Sequence, residues 1–157
     1  MASHLKTGRI IGALLLLQVA VGILLNFVFT APLFGEPGFL INAAPHATQI
    51  AQSVLLSIAM GLVSLTIACM LYPLFKTYSQ PLAMFYFALV TAGFALTVAE
   101  NISMMSMLSL SKAYAEYGAT QESLYQGLRI VVKETRNWTH YLSLIVSGVT
   151  IFTFYLT

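Results

Sequence analysis

Apolar positions run almost without interruption through residues 10–30, 48–72 and 82–110, and they resume at Trp138. Polar residues gather in the gaps between these runs. A helix needs about 20 apolar residues to cross the hydrocarbon core of a bilayer. The pattern therefore predicts four spans, over residues 8–30, 48–72, 82–103 and 138–157. The breaks carry turn chemistry. Residues 31–45, with Pro32, Gly35, Pro37, Gly38 and Pro45, are not expected to continue a helix. Span 2 is expected to stop at Pro73, and Pro81 suits the first turn of span 3 after the polar link 76–80.

The mixed segment between spans 3 and 4 is the second prediction. A turn is expected at Gly118, Ala119 and Thr120, with a helix starting near Glu122. From there Arg129, Lys133, Arg136, His140, Ser143, Ser147 and Thr150 recur at spacings of three and four, which is one face of a single helix. Counting outward from Gly118 sets Glu100 level with Arg136. Trp138 and Tyr141 are aromatic-belt residue types, so they and Glu100 are expected at a membrane boundary. Residues 103–137 then form a helical hairpin outside the bilayer, where Lys112, Glu116, Glu122, Lys133 and Glu134 meet water. The expected fold is all-α: a single transmembrane domain, an integral membrane bundle of four transmembrane helices with an extramembrane helical hairpin between helices 3 and 4.

Composition agrees. Hydrophobic residues make up 59% of the chain and charged residues 8%, against about a quarter charged in soluble domains. The expected first partner is the lipid bilayer. A net charge of +2 with no basic patch interleaved with aromatics predicts no nucleic-acid partner. Cys69, the one cysteine, lies in an apolar run and reads as a packing residue. The run after Lys6 and Arg9 is too long for a cleaved leader, so it reads as a retained span. Lys6, Arg9 and Lys76 nearly balance Lys112, Arg129, Lys133 and Arg136, and the first span decides for a cytoplasmic N-terminus in a bacterial plasma membrane. Small-residue stripes are expected to bring helices close: Gly8 and Gly12; Ser53, Ser57, Gly61, Ser64 and Ala68; Ala88, Ala92, Ala95, Ala99 and Ser103.

Several of these residues also carry a resemblance. The opening Gly8-Arg9-Ile10-Ile11-Gly12, the Glu100-Asn101 pair followed by Met107-Leu108-Ser109-Leu110, the Gln121, Leu124 and Leu128 helix, and Asn137, His140 and Tyr141 occur in that order. In this the chain resembles a family of bacterial multi-pass membrane proteins known only as a domain of unknown function. The resemblance implies a multi-pass architecture, shortened at the C-terminus by about two spans, and no activity.

Glu100 is the residue with most chemical promise, because an ionisable group at the edge of a span is expensive to keep. Three readings stand side by side. It forms a structural ion pair with Arg136 or Lys133. It handles a proton or cation within a polar vestibule that includes Asn26, Gln49, Gln52, Ser53, Asn101, Asn137 and His140. Or it joins His46 and His140 around a transition metal, a donor set zinc and iron accept. A haem between His46 and His140 and copper at Met104, Met105 and Met107 are weaker versions of the third. No cofactor is expected. No G-x-S-x-G, H-E-x-x-H, C-x-x-C or phosphate-loop pattern is present. The expected function is a non-enzymatic interaction or accessory subunit, docking on other membrane subunits or on its own copies. The alternative is a small transport or ligand-binding protein with a polar site at the boundary.

Overall fold

A computed structural model describes residues 2–118 and 120–156. Ala119 of the expected turn and Thr157 at the end of span 4 lie outside the described residues. The described chain is helical and contains no strand. α1 covers Ala2–Leu24, a π-helical stretch Leu25–Thr30 follows, and α2 is Ala31–Phe34; α3 is Phe39–Asn42, α4 Ala47–Lys76, α5 Gln80–Tyr117 and α6 Glu122–Tyr155. Three segments are long and apolar enough to cross a membrane: Leu5–Phe34, Ala47–Lys76 and Gln80–Tyr117. α6 is not among them, since its first half is charged and Ser and Thr interrupt its second.

Two prolines correct the expected boundaries. Pro73 sits inside α4, which continues to Lys76. A proline costs the helix one hydrogen bond, here to Cys69, and the helix closes with Thr77 N–H on the Leu74 carbonyl. Pro32 does not end the first helix either. The chain widens into π geometry one turn earlier, where the Ala31 N–H bonds the Asn26 carbonyl, and helix resumes as far as Phe34. The carbonyls this leaves open are met from another element: the Gln49 side chain on α4 donates to Val28 and Phe29 oxygens at 2.9 and 3.1 Å.

α4 and α5 pack along each other at the centre, α1 lies on α4, and α6 runs back along α5. Ser79 caps the start of α5 by accepting from the Leu82 N–H. α4 and α5 meet tightly at Gly61, where a Cβ would stand 2.5 Å from the Phe94 ring. Gly118 closes the α5–α6 link for a similar reason: a Cβ there would meet Tyr114 at 2.5 Å.

Apolar packing concentrates in two clusters. At the end holding the α4–α5 link, Ile11, Ile67, Leu71, Phe75, Ala83 and Tyr86 are buried together, and Phe154 of α6 packs edge-on against Phe75 and at a tilt against Tyr86. At the other end Leu33, Phe39, Ala43, Ile50, Met104, Met107 and Leu108 form the second. There Ser111 ties the connecting segment to α5, donating to the Leu40 carbonyl at 2.9 Å and accepting from Ala44 N–H at 2.8 Å.

The small-residue stripes divide. That of α4 faces its neighbours, with Ala68 buried and Ser53 buried. That of α5 does so only at one end: Ser103 is buried and Ala99 half-buried, but Ala88, Ala92 and Ala95 are exposed, and there the packing face is instead Ala83, Tyr86, Val90 and Phe94. A Cβ on Gly8 or Gly12 would meet nothing within 4 Å, so that pair marks no contact. Helix α5 is apolar nearly all round, and periodicity alone does not say which side turns inward.

Candidate functional site

Between the two clusters polar side chains gather. α5 brings Glu100 opposite the stripe of α6, and one carboxylate oxygen takes two partners. Glu100 Oε1 lies 3.1 Å from Arg136 Nη2 and 3.1 Å from His140 Nδ1. The Arg136 and Glu100 side chains are only 16% and 22% exposed, so the pair is largely out of water; His140, at 37%, opens to the outside. Arg136 is further held by the Phe34 ring, whose centroid is 5.0 Å from its guanidinium carbon. Its Nε is buried with no acceptor.

These residues form one wall of a cleft of about 180 Å³. Asn26 and Thr30 come from the π-helical stretch, Ser53 and Ser57 from α4, Asn101 and Met104 from α5, and Ser143 from α6. Asn101 donates to Ser57 Oγ at 3.0 Å and to the Thr97 carbonyl at 2.8 Å, so its own oxygen stays available. Asn26 likewise spends its amide nitrogen on the Gly22 carbonyl. Glu100 Oε2 has no bonding partner among the described residues.

Ser143 also lines a second, larger space of about 350 Å³. This groove runs between α1 and α6 over the α4–α5 seam, past Gln18, Ser64, Thr97, Ser147 and Thr150 on its polar side and Leu15, Leu89, Phe94 and Val146 on its apolar side. Gln18 ties α1 to α4 here, donating to Ser64 Oγ at 2.6 Å and to the Met60 carbonyl at 3.1 Å. An amide alone in the apolar run 10–25 is the signal that marks Gln18, and the sequence reading passed over it.

Of the expected site residues, Glu100, Asn101, Arg136 and His140 meet at the cleft. Lys133 is exposed and away from the carboxylate, and Asn137 turns to Glu134, its side-chain nitrogen 3.5 Å from Oε1. Gln49 serves the carbonyls of the first helix and Gln52 is exposed. His46 is not brought to Glu100 and His140: its Nδ1 lies 2.7 Å from the Asn42 carbonyl. Among the described residues no three His, Cys, Asp or Glu side chains converge as metal ligands. Met104 and Met107 are core residues packed on Leu33 and Ile50. Arg129 pairs with Gln126 on its own helix, at 3.2 Å. Sequence periodicity did not point to Ser57, Thr30 and Phe34 as neighbours of the charged pair, because the π-helical stretch and α2 that carry the last two break no sequence rule until Pro32 is seen to be absorbed.

A family model described as a domain of unknown function, DUF4386, matches residues 10–157. No curated protein and no solved structure matches the chain.

Proposed function

Since the chain belongs to the DUF4386 family, whose description assigns no activity, we propose from the site itself that it is a small ligand-binding or transport protein of a membrane, taking a polar group into the cleft at Glu100. One observation carries this reading. A carboxylate, a guanidinium and an imidazole share one wall of an open polar cleft instead of being sealed in the core. Ionisable groups are costly to hold at the edge of a span, and groups that bind or relay a solute must face the space it enters.

In this reading α6 is the fourth span, crossing from Trp138 onward, and residues 103–137 project from the bilayer as the far part of the α5–α6 hairpin. The aromatic pair Trp138 and Tyr141 supports a boundary near the cleft. The N-terminus with Lys6 and Arg9 is assigned to the cytoplasm on the first-span rule.

The test is native mass spectrometry of the full chain released from its own membrane, beside proton flux in reconstituted vesicles. The reading expects a retained small species or a flux in the wild type that Glu100→Gln removes. A bare chain together with equal flux from wild type and Glu100→Gln would overturn it.

A second reading, an interaction or accessory subunit, draws on the outer faces. Leu16 and Val19 of α1, Phe27 of the π-helical stretch, and Ile145, Phe152 and Tyr155 of α6 stand exposed, and apolar helix faces serve other subunits as well as lipid. Its test is the mass of the detergent-solubilised assembly: partner subunits or a second copy support it, and a bare single chain at native abundance counts against it.

A further inference from the structure

We propose that the cleft and the groove together hold one amphiphile, a zwitterionic lipid whose headgroup pairs a primary ammonium with a phosphate. This rests on the reading that the cleft binds a ligand, and it names the chemical class.

Charge sets the first constraint. One carboxylate against one guanidinium leaves the cleft formally neutral with His140 uncharged. A simple anion would meet Glu100, and a simple cation would meet Arg136. A group carrying both charges finds a partner for each. The acceptors are Glu100 Oε2 and the side-chain oxygens of Asn26 and Asn101, all left over after the bonds these residues make within the chain. The donors are the guanidinium of Arg136, which lines the cleft, and the hydroxyls of Thr30 and Ser143.

Hydrogen bonding narrows the cation. Three acceptors call for a cation with N–H groups. A quaternary ammonium has none and is instead recognised by aromatic faces; the ring beside the cluster, Phe34, is already covered by Arg136. The phosphate is matched to the arginine, since guanidinium–phosphate bonds are among the stronger charge-assisted pairs.

The groove supplies the second half of the ligand. Ser143 borders both spaces, and Asn101 of the cleft is bonded to Thr97 of the groove one turn away. From there Leu15, Leu89, Phe94, Val146 and Ile151 line a trough between α1 and α6. An acyl chain laid in this trough would carry its headgroup to the cleft, and the Trp138–Tyr141 pair flanking His140 in sequence marks the depth at which headgroups sit.

The experiment uses the full chain in nanodiscs of equimolar phosphatidylethanolamine, phosphatidylcholine and phosphatidylglycerol with matched acyl chains, followed by native mass spectrometry. A single phosphatidylethanolamine is expected to survive release, and Glu100→Gln is expected to cut its retention roughly tenfold, the loss of one charge-assisted bond. Gly93→Leu tests the trough without touching the charged cluster: a Cβ at Gly93 meets only Val146, at 3.9 Å, so the longer side chain fills the space beside it. It should abolish lipid retention. Free phosphoethanolamine separates the sources. If it binds as well as the lipid and ignores Gly93→Leu, the cleft takes a free zwitterion, which overturns the amphiphile and leaves the binding reading standing. Equal retention of all three lipids, unmoved by Glu100→Gln and Gly93→Leu, overturns the proposal. No retained lipid and no bound phosphoethanolamine would remove it together with the reading beneath it.

Discussion

Gln18 of α1 and Ser64 of α4 are joined by a hydrogen bond of 2.6 Å midway along both helices, with the same amide reaching the Met60 carbonyl. This is the polar fastening of α1 to the bundle between its two apolar ends. Interhelical hydrogen bonds in membranes contribute about 0.6–2 kcal/mol. Gln18→Leu is expected to lower stability by that amount without unfolding the other helices. Unfolding in mixed micelles, followed by a cysteine-pair cross-link between α1 and α4, would read the loosening; unchanged cross-linking would refute it.

Breaking the charged pair from one side is expected to cost more than removing it. Arg136→Leu strands Glu100 beside His140 alone and should destabilise by about 3 kcal/mol, as for a buried pair deprived of one partner. The double variant Glu100→Gln/Arg136→Leu should recover most of that loss. A double variant as unstable as Arg136→Leu alone would mean the loss lies in the guanidinium's packing on Phe34.

At the α4–α5 seam, Gly61→Ala puts a methyl group 2.5 Å from the Phe94 ring. Overpacking of this kind costs typically about 1–3 kcal/mol. Phe94→Leu in the same chain should restore much of the stability, and a double-mutant cycle by micelle unfolding measures the coupling. Purely additive effects would rule out the contact.

The Gln49 amide answers two carbonyls that the π-helical stretch and Pro32 leave open. Gln49→Leu should cost about 1–3 kcal/mol, the penalty for unmet backbone groups. The effect should be local. Hydrogen exchange is expected to rise over residues 25–34 while α5 stays protected; a uniform rise would contradict the local role.

Ser111→Ala removes a hydroxyl that both donates to Leu40 and accepts from Ala44. The expected loss is again about 1–3 kcal/mol, with faster proteolysis within residues 35–46 as its signature. Proteolysis unchanged from wild type would show that the Phe39 and Leu33 packing holds the segment without it.

Much of the helical architecture is legible in the chain because membrane spans are written in long apolar runs. The register of α5 against α6 follows from counting residues to the turn at Gly118, which is why Glu100 and Arg136 can be matched without coordinates. Other features escape for definite reasons. Pro32 and Pro73 read as stops because proline breaks a regular helix, and only a neighbouring amide or a spare turn shows how the break is absorbed. The alanines at 88, 92 and 95 look like a packing face, yet in an almost uniformly apolar helix spacing does not choose a side. His46 is near the right depth by counting, but its ring is spent on the Asn42 carbonyl four residues back. Depth along a helix is one coordinate, and a binding site needs three.

The buried apolar clusters lie towards the two ends of the bundle, and the trough opens between them. Halfway along, what ties α1 to α4 is chiefly the Gln18 amide, through its bonds to the Ser64 hydroxyl and the Met60 carbonyl. A guest entering sideways from the surrounding lipid at the trough would therefore meet a polar fastening, which can re-form behind it, where the ends present buried apolar clusters.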